Sequence, residues 1–138
     1  MAKDFIAYKG QKLTLEWYFN AQRKSESLEY YEDLSRDRQK KIGNLFRLLG
    51  DSGKIFNKEK FRSEGDQIYA FKTSDDRFLC FFFDGAKVVI TNAYEKKTQK
   101  MPAREKERAL KAKVDYTKRI KDGIYYEKES KINSRKTC

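Results

Sequence analysis

The chain has 138 residues, 38% of them hydrophobic, with a mean hydropathy of −0.95 and a formal net charge of +11. This length fits one domain with its own core, and the positive charge indicates an anionic partner, of which nucleic acid is the commonest. The sequence contains no histidine, which excludes His-based metal sites, Ser-His-Asp triads and paired-histidine nucleases.

Other features predict a cytoplasmic protein without cofactor or metal. There is no apolar run of about 18 residues for a membrane span and no apolar stretch of a signal peptide in "MAKDFIAYKG". Cys80 and Cys138 make no disulfide framework, and Cys80 in "RFLCFFF" is predicted to be buried. Neither GxxxxGK[ST] nor GxGxxG occurs, so nothing indicates a nucleotide-cradling loop.

The first half of the chain predicts one strand and a pair of helices. Apolar and polar residues alternate over 12–19, which is the period of a half-buried strand. Helix formers fill 21–34, and a second helix over about 36–49 follows Ser35, a good N-cap. Gly50 and the "DSG" after it are expected to end that helix. Residues 53–67 read as a polar connection.

The second half predicts three strands and a last helix. The strands are 68–72, 77–83 and 87–94, the last two joined by the hairpin signal Asp84-Gly85. Because 77–83 is apolar on both faces, it should be central and covered on each side. Pro102, the only proline, suits the first turn of the helix that follows.

This order of elements predicts an α+β fold, in which an antiparallel meander sheet carries the N-terminal helical pair and the C-terminal helix. Where the first strand joins the sheet is left open by the pattern. Residues 1–123 are predicted to form the domain, and 124–138 a charged C-terminal tail.

The positive charge is concentrated near the C-terminus, where residues 95–138 contain 15 Lys and Arg against 7 Asp and Glu. In a meander, the turn after 68–72 and the end of 87–94 lie at the same end of the sheet. That end should therefore gather Lys72, Arg77, Tyr94, Lys96 and Lys97. The connection before the meander can add Lys60 and Arg62. Lysine and arginine bind phosphate, and a tyrosine ring can stack on an unpaired base.

At this point the sequence resembles a known family. The stretch "IYAFK…RFLCFFF…KVVITNAYEKKTQKMPAREKERALK" is similar to the HigB-like, phage-derived branch of the RelE superfamily, over roughly residues 60–119. The shared pattern is a strand that ends at Lys72, an Arg77 that opens an aromatic strand, and a Lys-Lys-Thr-Gln-Lys-x-Pro run after the third strand. That run contains Lys96, Lys97, Lys100 and Pro102. Many relatives carry histidine where this chain has Asn92.

The resemblance implies the toxin of a type II toxin–antitoxin system, an mRNA interferase with the RelE-like fold. Such a toxin is a metal-independent endoribonuclease that cleaves mRNA, in most cases on the ribosome, with the RNA's own 2′-hydroxyl as nucleophile. It also implies a cognate antitoxin, a small acidic or helix-turn-helix protein. Without histidine, the acid and base must come from Tyr94, Glu95 or the clustered lysines.

We assign the steps of RNA binding and cleavage to individual residues as hypotheses. Arg77 is expected to bind the scissile phosphate, with Lys72 and either Lys96 or Lys97 assisting it or acting as base, and Tyr94 to stack or donate its hydroxyl. Lys60, Arg62, Glu95 and Lys100 are the predicted RNA-binding residues. Two alternatives stay open: a catalytically inactive RelE-fold module that binds RNA or protein, and a small basic protein that binds ribosome or DNA.

Overall fold

The computed structural model describes residues 5–127, which form a six-stranded mixed sheet with helices on both of its faces. The α+β class and the three predicted helices are confirmed. The strand order is β1-β2-β6-β5-β4-β3, and β2 runs parallel to β6 while the other neighbours are antiparallel. The elements are β1 (Ile6–Lys9), β2 (Thr14–Trp17), α1 (Glu26–Asp33), α2 (Arg36–Ser52), β3 (Phe61–Ser63), β4 (Tyr69–Lys72), β5 (Asp76–Phe83), β6 (Lys87–Glu95) and α3 (Ala103–Lys121).

The prediction of a purely antiparallel meander is wrong. The sheet contains a β3-β4-β5-β6 meander that is extended by a β1-β2 hairpin. Thr14 pairs with Lys87 and Trp17 with Ile90, in parallel. The two edge strands were missed because they are three or four residues long and at most half-buried for most of their length. Edge strands of this kind leave little apolar alternation to detect. The connection predicted for 53–67 therefore contains β3.

Strand β5 lies in the middle of the sheet, between β4 and β6, and both of its faces are covered as predicted. Phe78 and Cys80 belong to the core shared with α1 and α2. Leu79 and Phe81 belong to the core beneath α3. Cys80 is fully buried, and burial raises the pKa of its thiol. The two faces are called below the helical-pair face and the α3 face.

The helix boundaries follow their caps. Ser25 accepts a hydrogen bond from the Leu28 amide at 3.2 Å and begins α1, and Ser35 accepts one from the Arg38 amide at 3.3 Å and begins α2. Helix α2 ends at Gly53, whose φ of 81° is left-handed, and not at Gly50. Gly50 lies within α2, where the segment around Tyr8 packs closely against the helix. A Cβ on Gly50 would lie 2.7 Å from Cδ2 of Tyr8, so a side chain would not fit at this position.

The start of the predicted charged tail packs on the domain. Tyr125 is 3% exposed in the core beneath α3, and its hydroxyl accepts a hydrogen bond from the Phe19 amide at 2.9 Å. The rest of the tail, 128–138, lies outside the described residues, so the boundary at 123 stays a prediction. None of the helices in residues 5–127 combines the length and apolarity that crossing a membrane requires.

Candidate functional site

Four of the predicted site residues lie side by side across the end of the sheet. Lys72 is paired with Arg77, and Arg77 is paired with Tyr94. On the other side, the Lys72 amide donates to the Lys60 carbonyl at 2.8 Å, so Lys60 continues the line. Paired residues on neighbouring strands share a face and have Cβ atoms about 5 Å apart. Lys60, Lys72, Arg77 and Tyr94 are called here the basic row.

The basic row lies on the α3 face. Arg77 alternates with Phe78, which is buried on the helical-pair face, and so shares a side with Leu79, which is buried under α3. Helix α3 begins at Ala103, after the connection that leaves β6. The row therefore occupies the end of the sheet near which α3 begins, where side chains can reach solvent.

The Arg77 guanidinium is held over the β4–β5 turn. Its Nη1 donates to the Thr73 carbonyl at 2.5 Å and to the Asp76 carbonyl at 2.9 Å. The Thr73 hydroxyl oxygen in turn accepts from the Asp76 amide at 3.0 Å, which closes the turn. Within the part of the chain that the structure describes, both hydrogen bonds that the Arg77 side chain donates come from Nη1. Nε and Nη2 are thus left for a two-point contact with a phosphate.

Tyr94 is half-buried at the end of the row, and its hydroxyl is kept protonated. Burial raises the pKa of Tyr94, the neighbouring Arg77 lowers it, and the charges of Glu64 and Glu105 raise it further. The net direction is upward from 10.0. At neutral pH this side chain is therefore a hydrogen-bond and proton donor. Neither Glu64 nor Glu105 was predicted as part of the site, although both carboxylates act on it.

Asn92 and Glu105 join β6 to the start of α3. The Asn92 amide nitrogen donates to the carbonyl and to Oε1 of Glu105, both at 3.1 Å, and the Thr91 hydroxyl donates to Asn92 Oδ1 at 2.6 Å. Asn92 is 2% exposed and Glu105 is 5% exposed. The Asn92 side chain, at the position where the resemblance leads us to expect histidine, is therefore held in a buried contact with Glu105. The sequence signal for Glu105 was its place in the first turn after Pro102.

The lysines after β6 differ in how close they lie to the row. The Lys96 amide donates to the Asp75 carbonyl at 2.8 Å, which extends the β5–β6 ladder by one step. By strand alternation Lys96 shares the α3 face with Tyr94, and it is half-buried. Lys97 and Lys100 lie in the exposed connection to α3. The structure thus places Lys96 against the row, and Lys97 and Lys100 outside it.

The other two predicted RNA-binding residues lie in opposite directions. Arg62 is paired with Ala70 on β3, so its side chain starts on the α3 face with the row. It is exposed at the sheet edge, and it also borders a groove on the helical-pair face. Glu95 alternates with Tyr94 and lies on the helical-pair face, where its Oε2 is 3.8 Å from Nη2 of Arg38. Glu95 is therefore not brought together with Tyr94 and Arg77.

A cluster that the sequence did not predict lies directly behind the row. Asp76 has no solvent exposure, and Arg38 from α2 contacts both of its carboxylate oxygens. The Tyr30 hydroxyl from α1 donates to the same carboxylate at 2.5 Å. This group of Tyr30, Arg38 and Asp76 is called the Asp76 anchor. It fixes the residue whose carbonyl holds Arg77.

The sequence matches a known protein family. A family described as phage-derived protein Gp49-like (DUF891) matches residues 29–114, which is more than half of the chain. The chain belongs to the Gp49-like family. This is a RelE-like toxin family of toxin–antitoxin systems. Among curated proteins no match was found.

The Gp49-like match contains the whole candidate site. It runs from α1 to the middle of α3, and so includes the basic row, Lys96 to Lys100 and the Asp76 anchor. The β1-β2 hairpin and the end of α3 lie outside it. Within residues 5–127 no three side chains of the types His, Cys, Asp and Glu are grouped so that they could hold a metal ion.

Proposed function

We propose that the protein is the toxin of a type II toxin–antitoxin system and a metal-independent endoribonuclease, of the HigB-like kind, that cleaves mRNA on the ribosome. The observation that carries this proposal is the basic row, because it sets an arginine between a lysine and a tyrosine on one accessible face. Membership of the Gp49-like family supports the toxin role.

In this reaction the RNA 2′-hydroxyl attacks the adjacent phosphorus, the new P–O2′ bond forms, and the P–O5′ bond breaks. The products are a 2′,3′-cyclic phosphate and a free 5′-hydroxyl. Arg77 would contact two phosphate oxygens through Nε and Nη2 and stabilise the extra negative charge of the phosphorane. Fixed cationic donors aimed at developing charge are often the largest contribution to catalysis.

Two proton transfers complete the step. Tyr94 would donate its hydroxyl proton to the leaving O5′, since its raised pKa keeps it protonated at neutral pH. The general base for the 2′-hydroxyl proton would be Lys72 or Lys96, both on the same face as Arg77. Glu64, whose charge acts on Tyr94, offers a carboxylate for the same purpose.

The surrounding cations would hold RNA on either side of the cleaved bond. From Lys60 at the end of the row, Arg62 continues along the β3 edge, and Lys97 and Lys100 lie along the connection to α3. The family implies a cognate antitoxin, which we propose to be a small acidic or helix-turn-helix protein.

The test is cleavage of a translated mRNA by the purified protein, with and without ribosomes, mapped by primer extension. Arg77→Ala should abolish the cleavage and the growth arrest that follows induction. Arg47→Ala is the matched control, since it removes the same charge from an exposed position on α2. If the wild-type protein leaves mRNA intact with ribosomes present, the nuclease function is refuted.

The second candidate is a catalytically inactive RelE-fold module that binds RNA or protein. The observation in its favour is that Asn92, at the position where many relatives have histidine, is buried against Glu105. Under this alternative the protein would bind ribosomes or RNA with Arg77-dependent affinity and produce no new 5′ ends.

A further inference from the structure

An open groove of about 540 Å³ lies on the helical-pair face, beside the β3 edge. It is formed where the segment after α2 passes over the ends of β3, β4 and β5. Its apolar walls include the rings of Phe56, Phe61, Tyr69 and Phe82. The groove that these four rings help to form is called the aromatic groove. Its size is within the range of ordinary ligand sites, which run from about 300 to 1,000 Å³.

Two of the rings face solvent and two support them. Phe56 is 84% exposed and Phe82 is 38% exposed, which is unusual for phenylalanine. Phe61 and Tyr69 are stacked with their centroids 5.4 Å apart and their planes 5° from parallel. Phe82 packs edge-on against Tyr69 at 5.1 Å. The groove thus has a fixed aromatic floor and an exposed ring at its mouth.

The charged residues of the groove are all positive. Lys54, Lys58 and Arg62 line it, and among residues 5–127 no carboxylate does. The Lys54 ammonium is 5.9 Å from the centroid of Phe56, so charge and ring are presented together. Aromatic rings can stack on a flat base, and neighbouring cations can bind a phosphate. The groove therefore matches both parts of a nucleotide.

We propose that the aromatic groove binds unpaired nucleotides of RNA, with a base stacked on Phe56 or Phe82 and the backbone phosphates on Lys54, Lys58 and Arg62. An apolar peptide would use the rings but would leave the three cations without a partner, so RNA fits the whole lining better. Stacking of this kind does not depend on the base, so the groove holds RNA without reading its sequence.

The groove and the basic row share an edge strand. Lys60 lies in the row, and Arg62, two residues later, lines the groove. An RNA strand that passes around β3 could therefore reach both, with the groove holding nucleotides outside the cleaved bond. The choice of RNA rests on the proposed function, whereas the binding test below does not require cleavage.

The experiment measures binding by fluorescence anisotropy in an Arg77→Ala background, with a labelled ten-nucleotide oligouridine and an abasic oligomer of the same length. Phe56→Ala should weaken oligouridine binding about tenfold and leave abasic binding unchanged. Lys58→Ala should weaken both and reduce the salt slope by about 0.7. Val114→Ala and Lys118→Ala, at exposed positions on α3, are the controls for an exposed apolar side chain and an exposed cation.

The outcomes separate the groove from the nuclease. If Phe56→Ala leaves oligouridine affinity unchanged, the groove proposal is overturned, even where Arg77→Ala still abolishes cleavage. If it weakens both oligomers equally, stacking is overturned as the cause. If Phe56→Ala weakens binding while the wild-type protein cleaves no mRNA, the groove stands and the proposed function fails. Loss of antitoxin binding with intact RNA binding would assign the groove to a protein partner and overturn the proposal.

Discussion

Arg38 and Asp76 form a two-point ion pair across the helical-pair face. Nη2 of Arg38 lies 2.5 Å from Oδ1 of Asp76, and Nε lies 3.0 Å from Oδ2. The carboxylate is buried, whereas 29% of the Arg38 side chain is exposed. Because Asp76 immediately precedes Arg77 and its carbonyl accepts from the Arg77 guanidinium at 2.9 Å, the pair links α2 to the proposed phosphate site.

Loss of this pair should lower activity through the position of Arg77. Asp76→Asn keeps the size of the side chain and removes its charge, and we expect it to cost about 2 to 4 kcal/mol of stability. Arg38→Met should cost more, because it leaves a buried carboxylate without its cation. In protein that is still folded by circular dichroism, cleavage should fall about ten- to hundredfold, since a shift of about 1 Å in a catalytic group has that effect.

The neighbouring Asp75 supplies the control for this prediction. Asp75→Asn removes the same charge one residue earlier, from a side chain that accepts a hydrogen bond from Ser74 and is only half-buried. It should change stability by less than about 1 kcal/mol. A folded Asp76→Asn protein with wild-type cleavage would show that the Asp76 anchor serves stability alone.

Tyr94→Phe isolates the hydroxyl of the basic row from its ring. The ring and its packing remain, so substrate binding should change little. The turnover rate should fall about a hundredfold if the hydroxyl donates the proton to O5′. Single-turnover cleavage with saturating protein measures this, and Tyr31→Phe on α1 is the matched control. An RNA substrate with a 5′-thio leaving group needs little protonation and should restore the rate of Tyr94→Phe; a variant that stays slow on it would argue against the acid role.

Glu95 and Lys96 are adjacent in the chain but lie on opposite faces of the sheet, so paired substitutions can test the face assignment. Glu95→Gln should change cleavage less than about twofold, because an exposed ion pair such as that with Arg38 contributes at most about 1 kcal/mol. Lys96→Gln should reduce cleavage and RNA affinity, since it removes a cation beside Tyr94. The reverse order of effects would place the active surface on the helical-pair face.

The sequence predicted best those features that depend on neighbouring strands. The pairing of Lys72 with Arg77 follows from a short turn, and that of Arg77 with Tyr94 from one hairpin, so strand alternation alone brings them together. The alternation over 12–19 predicts that its apolar residues share one face of the first strand, and Leu13, Leu15, Trp17 and Phe19 are all buried in one core. Patterns of period two carry this information directly.

Features that depend on distant segments could not be predicted in this way. The parallel pairing of β2 with β6 joins residues more than 70 positions apart, and nothing local specifies it. The Asp76 anchor draws its three members from α1, α2 and β5, whose relative placement is tertiary. Asp76 belongs to the turn predicted between the strands 68–72 and 77–83, and only its burial reveals its role. Phe56, in a segment rich in lysine, gave no apolar period to detect.

A second polar network contains Tyr116 and Tyr126, and Tyr116 makes a pH-dependent contribution to stability. Tyr116 lies on the buried side of α3, and burial raises its pKa from 10.0 to about 12, against the effect of a hydrogen bond with Tyr126 at 3.1 Å. The Tyr126 hydroxyl donates to Glu16 at 2.6 Å. In the unfolded chain Tyr116 ionises near its ordinary pKa, whereas in the folded protein it holds its proton longer. Its contribution is therefore complete below about pH 10 and is lost as the pH rises toward 12.

Tyr116→Phe should show this as a pH-dependent difference in the free energy of unfolding. The phenyl ring keeps its contacts with Phe81 and Phe83. At pH 7 the variant should be less stable by about 1 kcal/mol, the usual value of one hydrogen bond. Between pH 10 and 12 the wild-type protein loses on the order of 2 kcal/mol that the variant cannot lose, so the difference should shrink and then reverse. Urea unfolding at pH 7, 9, 10.5 and 11.5 measures it, with the plateau between pH 7 and 9 as the internal control. A difference that stays constant across this range would show that Tyr116 titrates alike in both states.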